Sequence, residues 1–149
     1  MMTTNDVVRR LVHAHPGFAD AWREYVESPN YEPDHPYIDV GQLASRLVNA
    51  ATTGELGDVA ELFGAVEAIL KDSPADIRDL VLVGFLEDLQ NVSLNRGLSL
   101  ESWEQWLPPR TLEGWRVVRG LWDGSVSKES FNQYIATGVM AEDSQQEHQ

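Results

Sequence analysis

The sequence predicts an all-α protein of about seven to eight antiparallel helices, packed as an irregular bundle or a short solenoid-like stack. Two observations lead to this prediction. Apolar residues recur at helical spacing between Pro- and Gly-containing breaks along most of the 149 residues. No window of five or more residues shows the strict alternation of a β-strand. Since this length suits one core, we expect a single domain over residues 1–138 and a disordered, acidic and polar tail over 139–149.

The segment from Ser73 to Asn91 is predicted to be the central helix, against which the other helices pack. Ser73 is a candidate N-cap, Pro74 suits the first helical position, and Asp76 completes a capping box. The apolar residues that follow cover more of the circumference than a surface helix can use. Only a narrow, mostly acidic stripe is left for solvent, and its predicted members are Asp76, Asp79, Val83, Glu87 and Gln90.

Four helices are predicted before the central one. Thr3 and Asp6 form a capping box that begins the first helix at Thr4. Asp39 is the predicted cap of the third helix, and Gly54 ends it. Because the third, fourth and fifth helices are joined by short connections, we expect them to pack side by side. The predicted spans are Thr4 to about His13, a second helix that follows the break at Pro16 and Gly17 and runs to Glu27, Asp39 to Gly54, and Glu55 or Asp58 to Lys71.

Tryptophan is concentrated after the central helix, where four of the five residues of this type occur. Trp115, Val118 and Trp122 share a helical face and are predicted to be core residues. Trp103 and Trp106 lie beside a pair of prolines and are the candidate aromatic anchors of an interface. The predicted spans are a short helix from Ser99, a helix opened by Pro108-Pro109 and ended by Asp123-Gly124, and a last helix from Lys128 to Ala136.

The composition excludes several classes of protein. With 24 acidic and 11 basic residues the net charge is −13, which repels phosphate backbones and argues against nucleic-acid binding. The chain has no cysteine, so neither disulfides nor thiolate metal sites are expected. No apolar stretch has the length of a membrane span, and the first residues lack the apolar region of a signal peptide. We therefore expect a cytoplasmic protein without membrane contact.

The acidic residues are concentrated between positions 55 and 88, where nine acids face two basic residues, for a net charge of −7. A field of this sign attracts basic protein partners and accelerates their encounter. Asp72, Asp76, Asp79 and Glu87 are the candidate partner-binding acids. The alternative is a solvated face that only keeps the protein soluble, with Asp76 and Asp79 favoured by the positive end of the central helix.

Catalytic and metal-binding patterns are weak. His13, His15 and His35 lie near acidic residues and could hold a divalent metal in a small hydrolase. However, residues two apart on a helix point in different directions, and capping near the adjacent prolines explains these histidines equally well. Neither a serine nucleophile motif nor a phosphate-binding loop is present. The sequence therefore predicts no cofactor, no metal site and no enzymatic activity.

The run VGFLEDLQN, from Val83 to Asn91, resembles the signature of an uncharacterised all-helical bacterial family. The segments Pro36 to Ala44 and Leu121 to Gly124 are similar to the same family. The resemblance implies a helical fold but no established activity. It also implies an association with bacterial polymorphic-toxin and immunity loci.

Together these observations predict a non-enzymatic binding protein of the bacterial cytoplasm. The leading hypothesis is an immunity protein that neutralises a basic toxin by covering it, with acidic residues surrounding an aromatic anchor. The second hypothesis is a helical scaffold or adaptor that assembles through its Trp-rich C-terminal part. The third is the metal-dependent hydrolase.

Overall fold

A computed structural model describes residues 2–140, and the predicted tail from 141 onward lies outside the described residues. The described residues form eight helices and no strand, which confirms the all-α prediction. None of these helices combines the length and apolar character needed to cross a membrane. The helices are α1 (Thr4–Ala14), α2 (Pro16–Val26), α3 (Pro36–Thr53), α4 (Val59–Lys71), α5 (residues 75–95), α6 (Glu101–Glu104), α7 (Pro109–Asp123) and α8 (Lys128–Thr137).

Helix α5 is the centre of the bundle, as the width of its apolar face predicted. It is continuous, but its middle third is a π-helix: Ala75–Asp79 and Glu87–Asn95 are α-helical, and Leu80–Leu86 between them is not. The helix contacts α1, α3, α4, α7 and α8. Its apolar side chains from Ile77 to Leu89 are buried, except for the half-buried Val83, which is the state expected of a helix covered on most sides.

The start of α5 differs from the prediction. The N-cap is Pro74, and the first helical residue is Ala75. The Ser73 hydroxyl instead donates to the Leu70 carbonyl oxygen at 3.2 Å, so it satisfies the C-terminal end of α4. A hydroxyl between two helix ends can hydrogen-bond to either of them. Here it bonds to a carbonyl group at the C-terminal end of the preceding helix, which has no partner within that helix.

The start of α3 also differs from the prediction. The helix begins at Pro36, three residues before Asp39, because proline fits the first helical position without losing a hydrogen bond. Asp39 therefore lies inside the first turn and is buried, rather than capping the helix from outside. By contrast, the Thr3 and Asp6 capping box of α1 and its start at Thr4 are confirmed.

Helix α3 packs along α5, and this contact brings the two backbones close together. A Cβ atom added to Gly84 would lie 3.0 Å from Val40 Cγ2 and 3.2 Å from Tyr37 Cδ2, so only glycine fits at this crossing without displacement. The third, fourth and fifth helices do not all pack side by side as expected. Helix α4 packs mainly against α1 and α7, because the long α5 offers its apolar surface to several helices at once.

Candidate functional site

One exposed surface combines carboxylates with aromatic rings. Helix α5 supplies Asp76, Asp79 and Glu87, the start of α3 supplies Tyr37, and the end of α7 supplies Trp122. We call this set of five residues the acidic–aromatic surface. Three helices that meet at the centre of the bundle thus position its side chains, so the surface rests on a rigid support.

Tyr37 and Asp79 form one half of this surface. The Tyr37 hydroxyl donates a hydrogen bond to Asp79 Oδ2, and the ring covers Gly84 on α5. Burial and this hydrogen bond raise the pKa of Tyr37, with additional influence from the charges of Asp79 and Asp76. The tyrosine therefore stays protonated and holds the Asp79 carboxylate in one place. Its ring remains 43% exposed.

Glu87 and Trp122 form the other half. Trp122 lies beside the Glu87 carboxylate, and 65% of the tryptophan remains exposed. Burial raises the pKa of Glu87, Trp122 lowers it, and the negative charges of Asp88 and Asp79 raise it further. A nearby cation would stabilise the ionised form of Glu87, because its charge offsets both the cost of desolvation and the repulsion from Asp88 and Asp79.

The π-helical segment lies between the two halves, and π turns are frequent at functional sites. Its i→i+5 hydrogen bonds place more residues in each turn, so the chain rotates less per residue than in an α-helix. The predicted solvent stripe is wrong at Gln90, which lies in the α-helical part that follows this segment. That residue is buried, and its amide nitrogen donates to the Trp115 carbonyl oxygen at 3.0 Å.

The structure separates the other candidate residues from this surface. Asp72 is exposed, but it lies at the C-cap of α4 rather than on α5. Trp103 is only 2% exposed, and its indole nitrogen donates to Ser93 Oγ at 2.9 Å. The prediction that Trp103 anchors a partner is therefore wrong, since a buried ring has no surface left to cover. Trp106 is 37% exposed.

The sequence reading missed two members of the surface, Tyr37 and Trp122. Trp122 shares its spacing with Trp115 and Val118, and it was therefore predicted to be buried. Trp115 and Val118 are buried. Trp122 is exposed, because it lies near the end of α7 at the edge of the bundle. The available signal was its position directly before Asp123-Gly124, where a helix ends and neighbours become few.

Other acidic residues have structural partners. Glu67 of α4 accepts hydrogen bonds from the backbone nitrogens of Arg110 and Thr111 at 3.1 and 2.9 Å, and from Thr111 Oγ1 at 2.9 Å. It thereby caps the first turn of α7 from a neighbouring helix. Two arginines of α7 pair with acidic residues of α6. The ion pairs are Arg116–Glu104 at 3.0 Å and Arg119 with Glu101 and Glu104, each at 3.1 Å.

The three histidines do not meet. His15 is buried, its Nδ1 accepts from the Gly17 backbone nitrogen at 3.1 Å, and its Nε2 lies 2.5 Å from the Leu56 carbonyl oxygen. These contacts place the proton on Nε2 and make His15 a cap for α2. His35 pairs with Glu32 at 3.1 Å, and His13 is exposed. Within residues 2–140, no three His, Cys, Asp or Glu side chains form a group that could hold a metal ion.

These observations define the class: an acidic, all-helical domain with a supported acidic–aromatic surface. The chain belongs to the family described as a domain of unknown function, DUF7674, whose model matches residues 8–123. An uncharacterised family was expected from the resemblance, and the match confirms it at that level. The matched range extends from α1 to the end of α7 and contains the whole acidic–aromatic surface. No curated protein and no solved structure matches the chain.

Proposed function

We propose that this protein is a non-enzymatic binding protein that captures a basic protein partner through the acidic–aromatic surface. The observation that carries the proposal is the proximity of two carboxylates to two exposed aromatic rings, on α5 and on two helices that pack against it. Aromatic residues anchor interfaces, and surrounding charges of one sign select partners of the other. The net charge of −13 adds a long-range attraction for such partners.

The proposed role is that of an immunity protein, which neutralises a cognate bacterial toxin in the cytoplasm by covering its basic substrate site. This assignment extends the binding proposal with the toxin-locus association that the family resemblance implies. One observation favours the scaffold hypothesis instead: Trp122 and Trp106 are both exposed in the C-terminal part of the chain. Self-assembly through these rings would show little sensitivity to salt.

Affinity capture from the lysate of the source organism, together with the products of adjacent genes, tests the proposal. Capture is run at about 50 and 500 mM salt, where charges are screened beyond about 14 and 4 Å. We expect a basic protein that is retained at low salt and weakened at high salt. Salt-insensitive capture of neutral or acidic proteins, or of a second copy of this chain, would favour the scaffold.

A matched pair of variants assigns the capture to the surface. The triple variant Asp76→Asn, Asp79→Asn and Glu87→Gln removes three negative charges from the acidic–aromatic surface. The control variant Glu55→Gln, Glu61→Gln and Glu129→Gln removes the same charge from exposed positions elsewhere. We expect the first variant to lose most of the captured protein and the second to retain it. Equal loss in both would assign binding to net charge alone.

A further inference from the structure

We propose that a cavity at the ends of four helices binds a compact oxyanion of the phosphate type. The cavity has a volume of about 150 Å³. Its polar walls are Lys71 at the end of α4, Arg78 near the start of α5, Arg110 at the start of α7, and Tyr134 near the end of α8. No residue of the acidic–aromatic surface lines this cavity, so the inference is independent of the proposed function.

Positive charge is concentrated around this cavity, in a chain whose net charge is −13. Lys71, Arg78 and Arg110 line it, and Glu113 is the one carboxylate among the lining residues. Glu113 already has a partner, because the Tyr134 hydroxyl donates to its Oε1 at 2.9 Å. None of the three cations forms an ion pair within residues 2–140. Their charges are therefore available to an anion.

Arg78 is held in a fixed position at the wall of the cavity. Its guanidinium group donates to the Ile135 carbonyl oxygen and, at 2.6 Å, to the Ser73 carbonyl oxygen. It also lies against Gly138, where an added Cβ atom would be 3.1–3.2 Å from the guanidinium atoms. The two hydrogen bonds use only part of the N–H donors that a guanidinium offers. The remaining donors are preorganised, which lowers the entropic cost of binding a ligand.

The Tyr134 hydroxyl shows that two of the cations converge. Burial and the hydrogen bond to Glu113 raise the pKa of Tyr134, and the charges of Arg78 and Arg110 lower it less. Both guanidinium groups thus lie close enough to one hydroxyl to act on it together. Arg78 and Arg110 come from different helices, so the fold brings them to the same cavity.

The size and charge of the cavity indicate the class of ligand. Sites for drug-sized ligands have volumes of about 300–1,000 Å³, and this cavity is half the smallest of these. At about 30 Å³ per water molecule it has room for a phosphate group and its hydration, but not for a nucleotide. Three cations and one carboxylate leave an excess of two positive charges, which matches a phosphate dianion. Arginine binds phosphate with two parallel hydrogen bonds, and lysine binds it as a point charge.

Titration calorimetry of the full chain tests the proposal with two probes, at about pH 8 and constant ionic strength. One probe is inorganic phosphate, and the other is glycerol 3-phosphate, which carries the same group on a small organic molecule. We expect at least one of them to bind with a Kd of about 1 mM or below. Equal or tighter binding of inorganic phosphate would assign the site to the free anion. Tighter binding of glycerol 3-phosphate would assign it to a small phosphate ester.

Two variants and a matched control locate the binding. Lys71→Gln and Arg110→Gln each remove one exposed positive charge from the cavity, and each should weaken binding by about fivefold or more. Lys128→Gln removes one positive charge from an exposed position outside the cavity and should change the Kd by less than about twofold. Arg78 is not substituted, because its hydrogen bonds to backbone carbonyls support two helix ends. Circular dichroism checks that the variants fold.

A Kd above about 1 mM for both probes would overturn the proposal. Unchanged affinity in both Lys71→Gln and Arg110→Gln would also overturn it, as would equal weakening in Lys128→Gln. A nuclear magnetic resonance titration with the tighter probe gives an independent readout. We expect the backbone amide resonances of Arg110 and Gly138 to shift with the same Kd, and shifts confined to residues remote from the cavity would reject this site.

Discussion

Asp39 shows what burial of a single carboxylate does to this protein. The residue is 4% exposed, and its Oδ1 has no hydrogen-bond partner among the described residues. Burial raises its pKa, while a hydrogen bond from Tyr25 and the charge of His35 lower it less. Since the folded state favours protonated Asp39, the ionised carboxylate costs stability above the raised pKa. This cost shrinks as the pH falls below that value, and it is gone once the pH is below the ordinary pKa of aspartate.

We therefore predict that Asp39→Asn stabilises the protein at pH 7, because the amide keeps an acceptor for Tyr25 without carrying a charge. The difference in free energy of unfolding between variant and wild type should shrink as the pH is lowered toward the ordinary range of aspartate. Urea denaturation at several pH values measures this difference. Asp20→Asn, at an exposed position in α2, controls for the loss of one charge. A difference that does not change with pH would contradict the account of Asp39.

Glu67 illustrates how one side chain stabilises a helix that is remote in sequence. Its carboxylate accepts three hydrogen bonds at the start of α7, and Thr111 is fully buried there. We predict that Glu67→Ala lowers the free energy of unfolding by about 1–2 kcal/mol, the usual cost of a lost cap with a buried partner. Glu61→Ala, at an exposed position of the same helix, should change it by less than about 0.5 kcal/mol. Similar values for the two variants in chemical denaturation would contradict this role.

At the scale of the elements, the crossing of α3 and α5 depends on Gly84. We predict that Gly84→Ala destabilises the protein by about 1–3 kcal/mol, because its Cβ would lie 3.0–3.2 Å from Val40, Leu80 and Tyr37 and force them apart. Gly64→Ala is the matched control, since nothing lies within 4 Å of its added Cβ. There the better helix propensity of alanine should stabilise by about 0.5–1 kcal/mol. Thermal or chemical denaturation compares the two, and equal signs would contradict the crossing geometry.

The central position of α5 could be predicted because burial on most sides requires apolar residues around most of a helix. Its π-helical segment could not, since no local sequence pattern specified i→i+5 bonding. Gln90 is buried because its amide finds a partner in the Trp115 carbonyl oxygen, which belongs to a helix remote in sequence. Capping at Ser73 and Asp39 was mispredicted because one polar side chain near a helix end has several backbone groups to choose from.

The candidate surface was predictable only in part. The acids Asp76, Asp79 and Glu87 could be selected from the narrow polar stripe of an otherwise apolar helix. Their aromatic partners could not, because Tyr37 and Trp122 come from helices that meet α5 only in the folded chain. Trp103, predicted to anchor an interface, is buried, and Trp122, predicted to be in the core, is exposed. The reason is the same, since burial depends on where each helix lies in the bundle.

At the scale of the whole molecule, charge is divided between structural and exposed roles. Glu67, Glu101 and Glu104 are used within the fold, where they cap α7 or pair with its arginines. Asp76, Asp79 and Glu87 have no basic partner among the ion pairs of the described residues. Their field therefore projects outward, and it adds to the attraction that the net charge exerts on basic proteins.

The association rate of the captured partner tests the central claim most directly. At about 50 mM salt, we predict that the triple variant of Asp76, Asp79 and Glu87 associates about tenfold more slowly than wild type. The control triple variant of Glu55, Glu61 and Glu129 should slow by less than about twofold. At about 500 mM salt, the wild type and the surface variant should converge. Equal slowing of both variants, or no slowing of either, would contradict the assignment of the acidic–aromatic surface as the binding site.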